Sequence, residues 1–163
     1  MSHPSLFPLF VKLAGREVVV VGGGAMAALR VKQLREVGAR LAVVAPEIRE
    51  EVAQAAAVVH RRPFQPSDLD GAWFAVAAAT PAVNRAVAAA AEARRVLVNA
   101  VDDPDCASVY TGGVIRRGGA TVAISTGGRA PALAGLLREA IDAVLPAELE
   151  EWLALAEGLL ERK

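Results

Sequence analysis

Apolar positions along this chain come in short β-branched runs that alternate with stretches of helical spacing. Val18, Val19, Val20 and Val21 form the first run and lead straight into Gly22, Gly23 and Gly24. Four valines in a row suit a strand buried on both faces. After the glycines, Met26, Ala27, Leu29, Arg30, Leu34 and Val37 recur at helical spacing until Gly38 stops the pattern. The chain therefore reads as a strand over 17–21, a tight turn, and a helix over 25–37. The alternation continues with a strand over 40–46, ended by Pro46, and a helix over 47–57 with acids in its first turn, where the helix dipole favours them. A short strand over 58–64, a loop or single helical turn over 66–71, a strand over 72–79, a helix over 82–94 and a strand over 95–101 follow. Strand and helix in strict alternation predict an α/β fold with a parallel, doubly wound sheet.

The rhythm changes after Asp102. Residues 108–128 read as two strands around the turn "RRGG", with no crossover helix between them. Residues 130–145 form an amphipathic helix, Pro146 interrupts, and a second helix covers 147–163. The expected organisation is a first domain over 1–110, a small α+β segment over 111–145 and a C-terminal helix over 146–163. The apolar faces of the second part are expected to bury themselves against another copy of the chain.

Composition narrows the functional classes. The 163 residues are 54% apolar and 22% charged, enough for a real core. A formal net charge of zero argues against nucleic-acid binding through a basic face. One cysteine allows no intramolecular disulfide, which suits a reducing compartment. "MSHPSLFPLF" has two prolines and no basic stretch before a long apolar core, so no signal peptide is expected. The apolar segment over 72–93 is interrupted by Thr80-Pro81, Asn84 and Arg85, and reads as strand plus helix rather than a membrane span. A soluble, cytoplasmic chain without membrane partners is expected.

Gly22-Gly23-Gly24-Ala25-Met26-Ala27 fits G-x-G-x-x-G/A, here between a strand and a helix. In that Rossmann context Gly22 makes the tight turn, Gly24 lets a pyrophosphate approach the backbone, and Ala27 lets helix and strand pack closely. The alternative is a glycine turn needed only for packing. The acid expected at the end of the second strand is missing: Ala45 and Pro46 stand there, with Glu47 next. Glu47 either reaches a ribose or caps the following helix. No arginine stands at the strand end, and Arg49 is expected to face solvent, so NAD is favoured over NADP.

Three stretches together resemble a known family. "PLFVKLAGREVVVVGGGAMAALRVKQLREVGARLAVVAPE", "VNAVDDPDCASVY" and "VAISTGGRAPALAGLLREAID" are similar to the siroheme synthase N-terminal family, the precorrin-2 dehydrogenases. The resemblance implies NAD-dependent oxidation of precorrin-2 to sirohydrochlorin, a homodimer and, in some members, insertion of ferrous iron. It implies a key aspartate at Asp102, after Asn99 and Val101; cofactor contacts at Ala25, Met26, Pro46 and Glu47; and Thr80 lining the nicotinamide side. The family's Ser-rich stretch falls on Ser125, Thr126, Gly127 and Gly128. Departures are Ala25 where an acid is frequent, Ala28-Leu29-Arg30 where Glu-Arg-Lys is frequent, and "YTGGVIRRG" where a proline is common.

Open α/β sheets bind ligands beyond the carboxyl ends of their strands, where Gly22–Gly24, Ala45–Glu47, Thr80 and Asp102 all fall. Asp102 is the candidate general base, against a role in capping its loop. Asp103 and Asp105 are expected to bond within their turn, and Cys106 to be a small buried apolar residue. His3 and His60 form no metal-ligand spacing, so Asp102 is the first choice if ferrous iron is a substrate. The substrate implied by the resemblance bears eight carboxylates, which Arg129 and Arg138 could pair with, while Gly127-Gly128 precede a helix N-terminus. Arg116 and Arg117 either join them or are turn charges in water. Trp152, Leu153, Leu155 and Leu159 read as a helix-packing stripe. Two other readings remain beside the dehydrogenase: an enzyme that also inserts ferrous iron, and a non-catalytic NAD-sensing module.

Overall fold

The computed structural model describes residues 6–160, so His3 and the end of the predicted last helix lie outside the described residues. Two compact units divide between Val109 and Tyr110.

The first unit carries five parallel strands in the order β3-β2-β1-β4-β5. They are β1 (Glu17–Val21), β2 (Arg40–Val44), β3 (Val58–His60), β4 (Phe74–Ala77) and β5 (Leu97–Ala100). Helices α1 (Ala25–Glu36), α2 (Glu50–Ala55) and α3 (Pro81–Arg94) make the crossovers. β1 is central, pairing Val21 with Val44 of β2 and with Ala77 of β4. That placement explains its four valines. Val18 and Val20 pack on Ala27, Val31 and Leu34 of α1, whereas Val19 and Val21 join Val87, Ala90 and Ala91 of α3. Each valine is almost wholly buried, and full burial contributes about 1.5–3 kcal/mol per side chain.

Most strands and α2 are shorter than the sequence pattern predicts, α2 and β3 for reasons that bear on the site. α2 begins at Glu50 rather than residue 47, and β3 ends at His60 rather than residue 64. Residues 46–49 are drawn to the glycine turn instead of into the helix: Arg49 N donates to Gly23 O at 3.0 Å. β3 stops because Val44, its last partner on β2, pairs with His60. Beyond it, Arg62 grips Asp68 with both guanidinium nitrogens, Nη1 to Oδ2 at 2.9 Å, and Gln65 N donates to the same carboxylate at 2.8 Å. These bonds fix the 3₁₀ turn Pro66–Leu69 and seat Leu69 in the core.

In the second unit, β6 (Gly113–Arg117) and β7 (Ala120–Ile124) form an antiparallel hairpin, followed by α4 (Pro131–Val144) and α5 (Leu149–Leu160). Gly118 and Gly119 occupy the two-residue turn with φ of 53° and 83°, as a type I′ hairpin needs. Arg117 is neither a free turn charge nor available for a ligand. Its guanidinium donates to Leu145 O at 2.8 Å and to Asp142 Oδ1 at 2.6 Å, tying β6 to the end of α4.

The Arg62 side chain holds the Asp68 carboxyl below the usual carboxylate range, first through their hydrogen bond, against the opposing effect of burial. A depressed folded-state value stabilises the protein above the unfolded carboxylate pKa, and this contribution is lost as pH falls below about 4. Asp68→Asn is expected to lower unfolding free energy by about 1–3 kcal/mol at neutral pH, and by less in acid, in urea titrations.

Candidate functional site

Strand order reverses beside β1: the chain moves outward through β2 and β3, then returns to lay β4 on the other side. A crevice opens at such a switch point, beyond the carboxyl ends of the strands. Along this edge stand residues 45–49 after β2, 22–24 after β1, 78–80 after β4 and 101–103 after β5. Backbone bonds lock the series together: Gly22 N to Val44 O at 2.9 Å, Ala78 N to Val21 O at 2.8 Å, and Val101 N to Ala77 O at 2.8 Å.

The three glycines have different reasons to be glycine. Gly22 has φ of 131°, and a Cβ there would overlap the Ala78 carbonyl oxygen. A Cβ on Gly23 would overlap the Glu47 carbonyl oxygen and lie 2.6 Å from Ile48 Cα. Both positions are thus closed by neighbouring backbone. Gly24 has φ of −86° and nothing within 4 Å of its would-be Cβ. Among the described residues no atom explains that bare position, which suits the close approach of a ligand. Gly24 is the N-cap of α1, whose first turn has no capping side chain and no acid. Its unsatisfied N–H groups and positive dipole end suit an anion. Ala25 and Met26 are exposed in that turn, while Ala27 is buried against β1. This bare, uncapped turn fits a diphosphate.

The neighbouring corners complete the crevice. Ala45 is buried, Pro46 and Glu47 are exposed, and Glu47 lies outside α2, which removes the helix-capping reading. Thr80 is the exposed N-cap of α3 but makes no capping bond. Its loop is held by Asn84, a buried side chain whose Oδ1 accepts from Ala79 N at 3.1 Å. Sequence reasoning used Asn84 only to break an apolar run; an asparagine one turn beyond Pro81 in an alanine-rich helix was the available signal.

Asp102 is exposed and left-handed, with φ of 57°. Aspartate tolerates that region better than most residues, and strained backbone of this kind clusters at functional sites. Asn99, just before it, is 5% exposed; its Nδ2 donates to Val109 O at 3.1 Å, and its Oδ1 has no partner. Arg30 of α1 comes within electrostatic reach of Asp102. Burial pushes its guanidinium below the ordinary arginine value, and the Asp102 charge opposes that shift. Its Nε is buried without a partner, while Nη1 donates to Gln33 Oε1 at 3.0 Å. Arg30 stood out in the sequence only as a helix position and a departure from the family pattern, because its nearness to Asp102 depends on α1 crossing the sheet.

Asp103 is the N-cap of a 3₁₀ turn, Pro104–Cys106, and Asp105 lies within it. Burial, then Asp103, pushes the Cys106 thiol up, so it is no poised nucleophile. Among the described residues, no group of three His, Cys, Asp or Glu could hold a metal ion. No helix among them is long and apolar enough to cross a membrane.

In the second unit, residues 125–130 form one self-bonded loop before α4. Ser125 Oγ accepts from Gly127 N at 3.1 Å, and Thr126 Oγ1 donates to Ala130 O at 3.1 Å. Gly127 and Gly128 have φ of 65° and 75°. Arg129 is exposed beside them, its Nε donating to Thr126 O at 3.4 Å. Arg138 lies apart on α4, against Gly113, and pairs with Glu139 at 3.2 Å. Arg116 is exposed on β6.

A family described as "Putative NAD(P)-binding" matches residues 9–113, and one described as "Sirohaem biosynthesis protein central" matches residues 117–143. The chain belongs to the siroheme synthase N-terminal family. It is 41% identical over 160 residues to a protein named Siroheme synthase 3 from Aeromonas hydrophila, covering 95% of this chain and 34% of that one. It is 44% identical over 158 residues to the siroheme synthase of Gluconacetobacter diazotrophicus, covering 91% of this chain and 34% of that one. The chain thus spans about a third of the length of these curated relatives. A solved structure titled "SirC, precorrin-2 dehydrogenase" superimposes with a TM-score of 0.75 at 27% identity, over 91% of this chain and 76% of that one.

For this member of the family, the glycine turn makes a sharp contrast testable. Gly24→Ala is expected to leave the melting temperature nearly unchanged and to weaken NAD binding at least about tenfold, because its methyl group occupies the bare approach. Gly22→Ala forces a left-handed residue into a neighbouring carbonyl and is expected to lower the melting temperature by several degrees, as about 1–3 kcal/mol of strain would.

Proposed function

We propose that this chain oxidises precorrin-2 to sirohydrochlorin with NAD. The observation that carries the reading is the bare backbone at Gly24, open to a ligand on the same sheet edge as Asp102. NAD, when bound, supplies a two-electron acceptor for a hydride.

Each residue of the edge has a part in the proposal. Gly22, Gly23, Gly24, Ala25 and Met26 hold the diphosphate through backbone N–H groups. Ala45, Pro46 and Glu47 border the adenosine ribose. Thr80, whose hydroxyl makes no capping bond, borders the nicotinamide. The oxidation removes a hydride with its electron pair and a proton from the tetrapyrrole. Asp102 takes that proton, and Arg30 of α1 lies within electrostatic reach of its carboxylate. In the second unit, Ser125, Thr126, Gly127 and Gly128 form a polar loop for substrate, while Arg129 and Arg138 supply guanidinium groups suited to its carboxylates. The exposed apolar residues Leu136 and Val144 of α4 and Leu155 and Leu159 of α5 support a homodimer, since isolated chains seldom leave such faces wet. We infer cytoplasmic action, in keeping with the single cysteine.

The test supplies precorrin-2 and NAD to the purified chain and follows sirohydrochlorin by absorbance. Turnover is expected only with both present. Asp102→Asn, which keeps a residue tolerant of the left-handed turn, is expected to lower kcat by about 10²–10⁴ while NAD still binds. Retained turnover removes Asp102 as the base. Tight NAD binding without turnover on any tetrapyrrole would instead mark a nucleotide-sensing module. Adding ferrous iron to sirohydrochlorin without NAD reads out metal insertion, with iron as substrate and Asp102 as the first carboxylate to change.

A further inference from the structure

We infer that the ribose corner also admits a 2′-phosphate, so that the chain binds NADP as well as NAD, and that Arg61 is the residue responsible. The inference deepens the proposed function and rests on the dinucleotide reading of the glycine turn.

Discrimination between the two dinucleotides depends on charge at the end of the second strand. An acid there holds the 2′-hydroxyl and repels a phosphate, whereas a nearby arginine accepts the phosphate. Here β2 runs into Ala45 and Pro46, which carry no charge, and the first acid is Glu47. Glu47 is exposed and makes no side-chain hydrogen bond or ion pair among the described residues. It is free to turn toward a ribose hydroxyl or away into water.

The cation comes from the neighbouring strand rather than from β2. β3 pairs with β2 through Val44 and His60, so Arg61 leaves the sheet beside the end of β2. Its Nη1 donates to the Ile48 carbonyl at 3.0 Å. Ile48 belongs to the segment pressed against Gly23, whose would-be Cβ lies 2.6 Å from Ile48 Cα. One chain of contacts therefore joins glycine turn, ribose segment and guanidinium. Three arginines stand near this corner, and two have acid partners. Arg49 leans on Glu51 at 3.5 Å, and Arg62 is committed to Asp68. Among the described residues Arg61 has no carboxylate partner, and only one of its five N–H donors is taken, by the bond to the Ile48 carbonyl. An anchored guanidinium with donors to spare, beside an uncharged strand end, suits a phosphate monoester.

The test titrates the intact chain with NAD and with NADP by calorimetry. Wild type is expected to bind both, NADP within about tenfold of NAD. Arg61→Gln is expected to weaken NADP by about tenfold, the loss of one charge-assisted pair, while moving the NAD constant little. An Arg61→Gln variant whose NADP-to-NAD affinity ratio equals that of wild type overturns the inference. So does a wild type that binds NAD and shows no NADP binding. If neither dinucleotide binds, the dinucleotide reading itself fails and takes this inference with it. Arg61 is exposed, so an unchanged melting temperature is expected to accompany the variant.

Discussion

Three strand ends meet at Gly22 and Gly23 with no room for a methyl group between them. The Ala78 carbonyl abuts one glycine and the Glu47 carbonyl abuts the other. Every feature of the candidate site takes its position from that close approach. It carries the end of β4 against β1, and through Val101 N to Ala77 O it fixes the start of the turn that bears Asp102. On the other side, Arg49 N to Gly23 O holds residues 46–49 out of α2 and leaves Glu47 at the crevice. The valines of β1 make this possible. A strand buried on both faces cannot shift to relieve crowding at its end, so the crowding becomes geometry rather than slack.

The field at this edge is as distinctive as its shape. α1 and α3 both begin there, and neither has an acid in its first turn or a side-chain cap. α2, one strand away, carries Glu50 and Glu51 in its first turn and so neutralises its own dipole. The two helix ends beside the switch point stay positive and unsatisfied, the condition an anionic ligand would relieve. Asp102 and Asp103 add negative charge on the far side, and the partly buried Arg30 of α1 lies within electrostatic reach of Asp102.

Much of the first unit was legible because its signals are local. The valine run, the glycines and the apolar spacing of residues 26–37 each act within a few residues of one another, so β1, the turn and α1 emerge from pattern alone. The hairpin around Gly118 and Gly119 was legible for the same reason: two adjacent glycines free to take positive φ close a two-residue turn. The lengths of α2 and β3 were not legible, since what shortens them is a bond to Gly23 and the reach of a partner strand. Arg117 stayed open between a turn charge and a substrate contact because its partners, Asp142 and Leu145, lie far along the chain.

The sequence by itself determined the alternating elements, the bare turn between β1 and α1, and the carboxylate that follows β5. Those depend on side-chain size, branching and backbone freedom, which each residue carries wherever it goes. Only the tertiary structure decided which glycine is open and which two are closed, and that Glu47 stands outside its helix. It alone brought Arg30 toward Asp102, Asn84 to the loop after β4, and Arg61 to the corner beside β2. Those relations are set by which strands lie side by side, and hydrogen bonds and fields act through space without regard to distance along the chain.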